Sequence, residues 1–255
     1  MDGGAMQSPE ARERADRLFA LHGGKRPLVL LHAWDAGSAR VFEQTGAPAV
    51  ATTSVGMTWS LGVAGDEAPA VVEFVAACNR ICRAVSVPVT VEIPAWIVTK
   101  DETCDVVRQL TMIGVSGLTI REDSPASTDR IASIRSLVHD LRARLFLNAR
   151  IDASGQQTLL ARARQCIDAG ADGITVPTSS GYEAVRLARA VSVPVSFDVG
   201  DGWGPSPYGL ACAGIGRISL EQTAFNSTVG LLRQIATNVL SGSGLHNSTS
   251  SHHGP

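Results

Sequence analysis

The side chains best able to do chemistry sit in short polar phrases, each following an apolar, β-branched run. His32, Trp34 and Asp35 follow Leu28–Leu31, and Thr53, Ser54 and Gly56 follow Ala49–Thr52, with Asp66 and Glu67 further on. Glu92 follows Val87–Val91, and Arg121, Glu122, Asp123 and Ser124 follow Gly117–Ile120. Asn148, Arg150 and Asp152 close the run that starts at Leu145, Thr178 and Ser179 come after Gly173–Val176, and Asp198 comes after Val193–Phe197. Carboxylates brought together in a partly buried mouth repel unless a cation or shared protons relieve them. Oxygen-only ligands of this kind suit Mg2+ or Mn2+, which keeps waters for a substrate to displace. Arg150 would hold a substrate carboxylate through a two-pronged hydrogen-bonded pair. The competing reading makes these acids helix caps and rim ion pairs. Ser124, Asp152 and Asp198 read that way, whereas Glu122 and Arg150 lie on the strand ends themselves and read as functional. His32 is either a group titrating near neutral pH or a satisfied structural histidine, so the general base stays open.

The elements that must position these residues are legible in the same rhythm. Eight strand candidates alternate with helical stretches: Ala36–Thr45, Val71–Val85, Cys104–Ile113, Arg130–Arg142, Gln157–Ala169, Tyr182–Ala190 and Ala224–Leu240. Glycines close several of them, as in Ala169-Gly170-Ala171-Asp172-Gly173. Ser8 and Pro9 open a helix that precedes the first strand and ends at Gly23-Gly24. Near-continuous apolar strands alternating with helices mean a parallel sheet covered on its faces. Eight such units in 255 residues predict a single α/β domain, a (β/α)8 TIM barrel, whose active site forms at the C-terminal strand ends. An open doubly wound sheet is the alternative, but Trp34-Asp35-Ala36-Gly37 is not a dinucleotide-binding turn. The expected organisation is an N-terminal helix over 1–24, the barrel over 25–240 and a disordered Ser/Gly/His/Asn tail over 241–255, where His252-His253 reads as tail rather than metal site.

Composition excludes whole classes. At 44% hydrophobic and 18% charged, with net charge -2, the chain is neither disordered nor suited to nucleic acid, which needs a basic excess. No apolar run approaches the roughly 20 residues of a membrane span. The five cysteines are odd in number and form no CxxC pair, and no signal-peptide pattern opens the chain, so a reduced, cytoplasmic protein is expected. Cys78 and Cys82 lack a matching pair of zinc ligands and read as buried apolar residues. Of the 22 basic residues only Lys25 and Lys100 are lysine. Neither lies on a predicted strand, which argues against a Schiff-base mechanism.

At these residues the sequence resembles the isocitrate lyase and phosphoenolpyruvate mutase superfamily, in particular its short phosphonomutase-like members. The resemblance rests on an ordered set: Ala33-Trp34-Asp35-Ala36-Gly37-Ser38-Ala39-Arg40, Ala51-Thr52-Thr53-Ser54-Val55-Gly56, Ser60-Leu61-Gly62, Glu122-Asp123-Ser124, Asn148-Ala149-Arg150-Ile151-Asp152 and Gly216-Arg217-Ile218-Ser219-Leu220. It covers Pro27 to Leu240. It implies a Mg2+-dependent barrel enzyme, a homodimer or homotetramer whose last helix is exchanged between subunits. The reactions it implies make or break C–C or P–C bonds beside a carboxylate, through an enolate. Asp66, Glu92 and Glu122 would form the metal shell. Arg150, Glu122, Glu92 and His32 would be the catalytic group, and Ser54 with Val55 and Gly56 would hold the substrate carboxylate. Trp34, Asp35, Asn148 and Trp96 would complete the substrate-binding set.

Departures from the family pattern matter as much. The family's Asp-Ile-Glu and glycine loop are replaced by Glu92-Ile93-Pro94-Ala95-Trp96-Ile97, so Pro94 stands where a second acid is usual. The cysteine loop of the lyase branch is missing, which argues against isocitrate cleavage. Three readings follow. One is a divergent Mg2+-dependent lyase or hydrolase of a small oxo- or hydroxy-carboxylate. Another is a metal-independent enzyme using Glu92, Glu122 and Arg150 directly. The third is a non-catalytic relative that binds a small carboxylate or a protein partner.

Overall fold

A computed structural model describes residues 7–63, 67–122, 126–151, 158–176, 181–199, 209 and 213–242. Eight strands run in the order β1 (Leu28–Ala33), β2 (Val50–Thr52), β3 (Val89–Glu92), β4 (Gly117–Glu122), β5 (Phe146–Ile151), β6 (Gly173–Val176), β7 (Val195–Asp198) and β8 (Arg217–Ser219). Each pairs in parallel with the next, and β8 returns to β1, closing a (β/α)8 barrel. The helices are α1 (Pro9–His22), α2 (Ala36–Gln44), α3 (Ser54–Ser60), α4 (Val71–Ala84), α5 (Lys100–Met112), α6 (Ala126–Asp140), α7 (Leu159–Asp168), α8 (Gly181–Ala188) and α9 (Thr223–Leu240).

Side-chain alternation splits the strands into two faces. Val89, Val91, Leu118, Ile120, Leu147, Ala149 and Ile174 point outward into the layer shared with the helices. The inward phase is apolar only near the N-terminal end, where Leu28, Leu30, Ala49, Ala51 and Phe146 cluster with Leu18 of α1. His22, the last residue of α1, stacks on Phe146 with ring centroids 3.9 Å apart. That end is thus closed by α1. Above this floor the inward phase turns polar: Thr90, Thr119, Asn148, Thr175, Ser196, Arg217 and Ser219 are all buried or half-buried. A barrel interior is ordinarily filled with branched apolar side chains; this one carries hydrogen-bonding groups upward to the site.

The expected helices recur with ends shifted by a few residues, and α3 is an addition. Its sequence, Ser-Val-Gly-Met-Thr-Trp-Ser, has weak helical propensity. Tertiary caps make it a helix: Thr53 accepts the Gly56 N–H, and Glu92 accepts the Ser54 N–H at 3.1 Å. Gly56 lets it pack closely, since an added Cβ would meet Trp34 Cβ and Thr53 Cγ2 at 2.8 Å. Cys78 and Cys82 are buried, and burial pushes the Cys82 thiol up to about 12, as expected of small core residues. Among the described residues no helix is long and apolar enough to cross a membrane. The expected tail from residue 243 onward and the Asp123, Ser124, Asp152, Thr178 and Ser179 positions lie outside the described residues.

Candidate active site

Register brings the charged groups together. Arg121 and Arg150 are partners across β4 and β5, in phase with the inward residues Thr119 and Asn148. Asp198 is the register partner of Ser219 across β7 and β8. Glu221 lies just beyond β8 in the phase of Arg217 and Ser219, with a left-handed φ of 32° that is uncommon for a non-glycine residue. At the C-terminal mouth Arg121, Arg150 and Glu221 enclose a cavity of about 30 Å3 together with His32, Ser54 and Glu92.

Arg150 is the hub. Its guanidinium forms an ion pair with Glu221, and its Nη1 lies 3.4 Å from Asp198 Oδ2. Asp198 is 2% exposed. Burial raises its carboxyl to about 6, opposed by the positive charges of Arg150 and Arg217. Arg217 is wholly buried beneath it, and burial lowers its guanidinium to about 10 against the pull of Asp198. Across the mouth, Glu92 Oε2 accepts the Ser54 N–H at 3.1 Å and the Ser54 Oγ–H at 2.9 Å. Its Oε1 is 4.0 Å from Arg121 Nη2.

His32 is the structural histidine of the two expectations. Thr52 O can only accept, so Nδ1 carries the proton and donates to it at 3.1 Å, and Nε2 accepts from Ser219 Oγ at 2.7 Å. Burial, reinforced by Arg217, holds its pKa down to about 3. The ring is therefore neutral throughout the physiological range, which corrects the expectation of titration near neutral pH.

The other expected residues divide by position. Ser54, Val55, Glu92, His32 and Arg150 share the mouth. Trp96 stands to one side, edge-on to Phe74 with centroids 5.8 Å apart, in the wall of a neighbouring cleft. Trp34 packs edge-on against Phe225 of α9, and Gly56 is buried beneath Trp34. Asp35 caps α2, its Oδ1 accepting the Ser38 N–H at 2.7 Å. Asn148 sits one inward position below Arg150 and donates to Thr175 Oγ1 at 2.8 Å. Asp66 lies outside the described residues. Glu122 ends β4 opposite Ile151, and its side chain is likewise outside them. The sequence reading places Arg121 at a strand end without giving it a role, takes Asp198 as structural and omits Glu221. The phase of the strands carries a signal for all three: Thr119 and Arg121, Ser196 and Asp198, and Ser219 and Glu221 are each two apart.

A closed parallel barrel with two guanidinium groups and carboxylates gathered at its C-terminal mouth has the layout of a barrel enzyme's active site. The family model described as phosphoenolpyruvate phosphomutase matches residues 18–240. The chain belongs to that family. An uncharacterized protein of Mycobacterium tuberculosis is 28% identical over 219 residues, 81% of this chain and 80% of the relative. Among solved structures, a candidate phosphonomutase from Burkholderia cenocepacia J2315 is 27% identical with a TM-score of 0.79, covering 91% of this chain and 99% of its own. At 20% identity, 2,3-dimethylmalate lyase shares the fold with a TM-score of 0.80, covering 93% of this chain and 91% of its own.

Proposed function

We propose that the enzyme cleaves a carbon–carbon bond (or a phosphorus–carbon bond) in a small oxo- or hydroxy-carboxylate, as a lyase or hydrolase, and that Arg150 and Arg121 hold the negative charge. The observation that carries this is the convergence of both guanidinium groups on one mouth, with Arg150 fixed from below by Asp198. Carbon–carbon cleavage leaves the bonding pair on one fragment as an enolate. A fixed cation beside that oxygen stabilises the charge without reorganisation at the moment of reaction. Arg150 provides a planar fork for a carboxylate, and Arg121 lies across the mouth on the Glu92 side. Glu92, pinned by Ser54, is the carboxylate placed to take or return a proton.

The family resemblance implies Mg2+, with Asp66, Glu92 and Glu122 as its shell. The described donors do not fit a metal well. Glu92 is already hydrogen-bonded through Oε2 and faces a guanidinium at 4.0 Å through Oε1. Pro94 offers no ligand beside it. No step here is therefore routed through a metal. The test is a panel of 2-oxo and 2-hydroxy diacids, with release of oxalate, pyruvate or another oxo acid followed by NMR with and without EDTA. Release that persists in excess chelator is the expected result. Release that stops in EDTA and returns with Mg2+ restores the metal-stabilised reading. Silence across the panel removes the lyase reading and leaves a carboxylate-binding relative.

Assembly is the second element of the reading. On α9 only Phe225 is buried, while Leu231, Leu232, Ile235 and Val239 are 40–56% exposed along one stripe. Exposed apolar patches of this kind mark interaction surfaces, and a second copy of the chain is the occupant the family resemblance supplies. Light scattering should therefore report a homodimer or homotetramer. Replacing Leu231, Leu232 and Ile235 together with serine should yield a folded monomer; an unchanged mass would remove α9 from the interface.

A further inference from the structure

The mouth itself is small, about 30 Å3, so a carboxylate enters it by replacing Glu221 beside Arg150, and the rest of a substrate must lie outside it. Beside it opens a cleft of about 770 Å3 that shares Ser54 and Val55 with the mouth. Its walls come from α3 and from the segment after β3: Val55, Trp59, Val63, Pro94, Ala95 and Trp96. Val55 and Trp59 leave 49% and 54% of their surface exposed. Trp59 is held edge-on to Phe225 at 5.4 Å, and Trp96 edge-on to Phe74, so both aromatic walls are braced. The one charged side chain lining this cleft among the described residues is Glu67. The positions that depart from the family pattern, Pro94 and Trp96, thus extend the apolar wall begun by Val55, Trp59 and Val63.

We infer that the substrate carries, beside its carboxylate head, an uncharged apolar substituent that lies in this cleft. The inference rests on reading the mouth as a carboxylate site, and it adds a substrate class. An acid no larger than pyruvate would leave the cleft to water. An alkyl or aryl substituent would cover Val55, Trp59, Pro94 and Trp96 and gain the transfer free energy of its own methylenes. A second carboxylate on the same arm would meet Glu67 and an apolar wall, and would lose that gain.

The test is calorimetric titration of the intact protein with pyruvate, 2-oxohexanoate, phenylpyruvate and 2-oxoadipate. Affinity should rise about fourfold per added methylene, giving roughly a sixtyfold gain from pyruvate to 2-oxohexanoate. Phenylpyruvate should gain as well, and 2-oxoadipate should gain little. Ala95 is exposed on the cleft wall, so Ala95→Trp should fill the space without disturbing the core. It should cut the preference for 2-oxohexanoate over pyruvate at least tenfold. A flat series, or an unchanged preference in Ala95→Trp, overturns the inference while Arg150-dependent binding of pyruvate leaves the carboxylate reading standing. If none of the four acids binds, both fall.

Discussion

Arg150→Met is expected to weaken binding of oxalate, an enolate mimic, by roughly a hundredfold to a thousandfold, the usual loss when one partner of a desolvated charge pair is truncated. The side chain is only 12% exposed and sits between Asp198 and Glu221. Its planar fork is therefore already oriented, and a bound carboxylate would replace Glu221 as its partner. Arg150→Lys keeps the charge but loses the two-pronged geometry, so it should recover only part of the affinity. A purely structural role predicts another pattern. Removing Arg150 strands Asp198, whose carboxyl is already raised to about 6 and would protonate more readily still. The stability loss of Arg150→Met should thus be larger at pH 8 than at pH 5, and Asp198→Asn in the same chain should relieve it. Oxalate binding should not return in the double variant. Titration calorimetry beside urea unfolding separates the two, and recovery of binding in the double variant would make Arg150 a scaffold residue only.

Much of this site was legible before any coordinates, for a physical reason. Strand ends in a parallel barrel face one mouth, so Glu92, Arg150, Ser54 and His32 could be grouped from their positions after apolar runs alone. Residue type, however, does not reveal phase. Glu122 draws the functional reading by its place on the strand end and its match to the family's Glu-Asp-Ser, neither of which says which face of the strand it occupies. Arg121 lines the mouth among the described residues, in step with Thr119 and across from Arg150. Glu221 was hidden for a related reason: it follows the shortest kind of strand, three residues long, and takes a left-handed backbone that no pattern announces. Asp198 was seen but read as structural, and its partnership with Arg150 depends on side-chain reach across two strands. His32 shows the limit of sequence position. Its place at a strand end suggested titration, while its neutral state follows from Thr52, Ser219 and burial.

The polar barrel interior makes a second large effect: acid should unfold the protein well above the range where surface carboxylates titrate. His22 and His32 are both held neutral, each lowered from 6.5 to about 3, chiefly by burial and then by Arg217. His22 donates through Nδ1 to Leu18 O at 2.8 Å, and its Nε2 has no hydrogen-bond partner among the described residues. Phe146 covers its face, so a second proton would enter without an acceptor. In the unfolded chain both rings protonate near pH 6.5. The unfolded state therefore binds more protons between pH 6.5 and 3, and stability falls as pH drops through that window. At pH 4.5 each ring costs about 3 kcal/mol relative to pH 8. Asp198 works in the opposite sense. With its carboxyl raised from 3.8 to about 6, the folded state binds the extra proton between those values, which returns about 2 kcal/mol at pH 4.5. The net loss is roughly 3 to 4 kcal/mol, a large share of the 5–15 kcal/mol that holds a typical domain together. Urea unfolding at pH 7.5 and pH 4.5 measures it directly. His22→Phe should keep the packing on Phe146 and remove most of the net loss. Adding His32→Gln should leave Asp198 as the dominant buried group and reverse the slope between pH 6 and 4.5. An acid loss of the same size in the double variant would mean that the buried histidines do not control it.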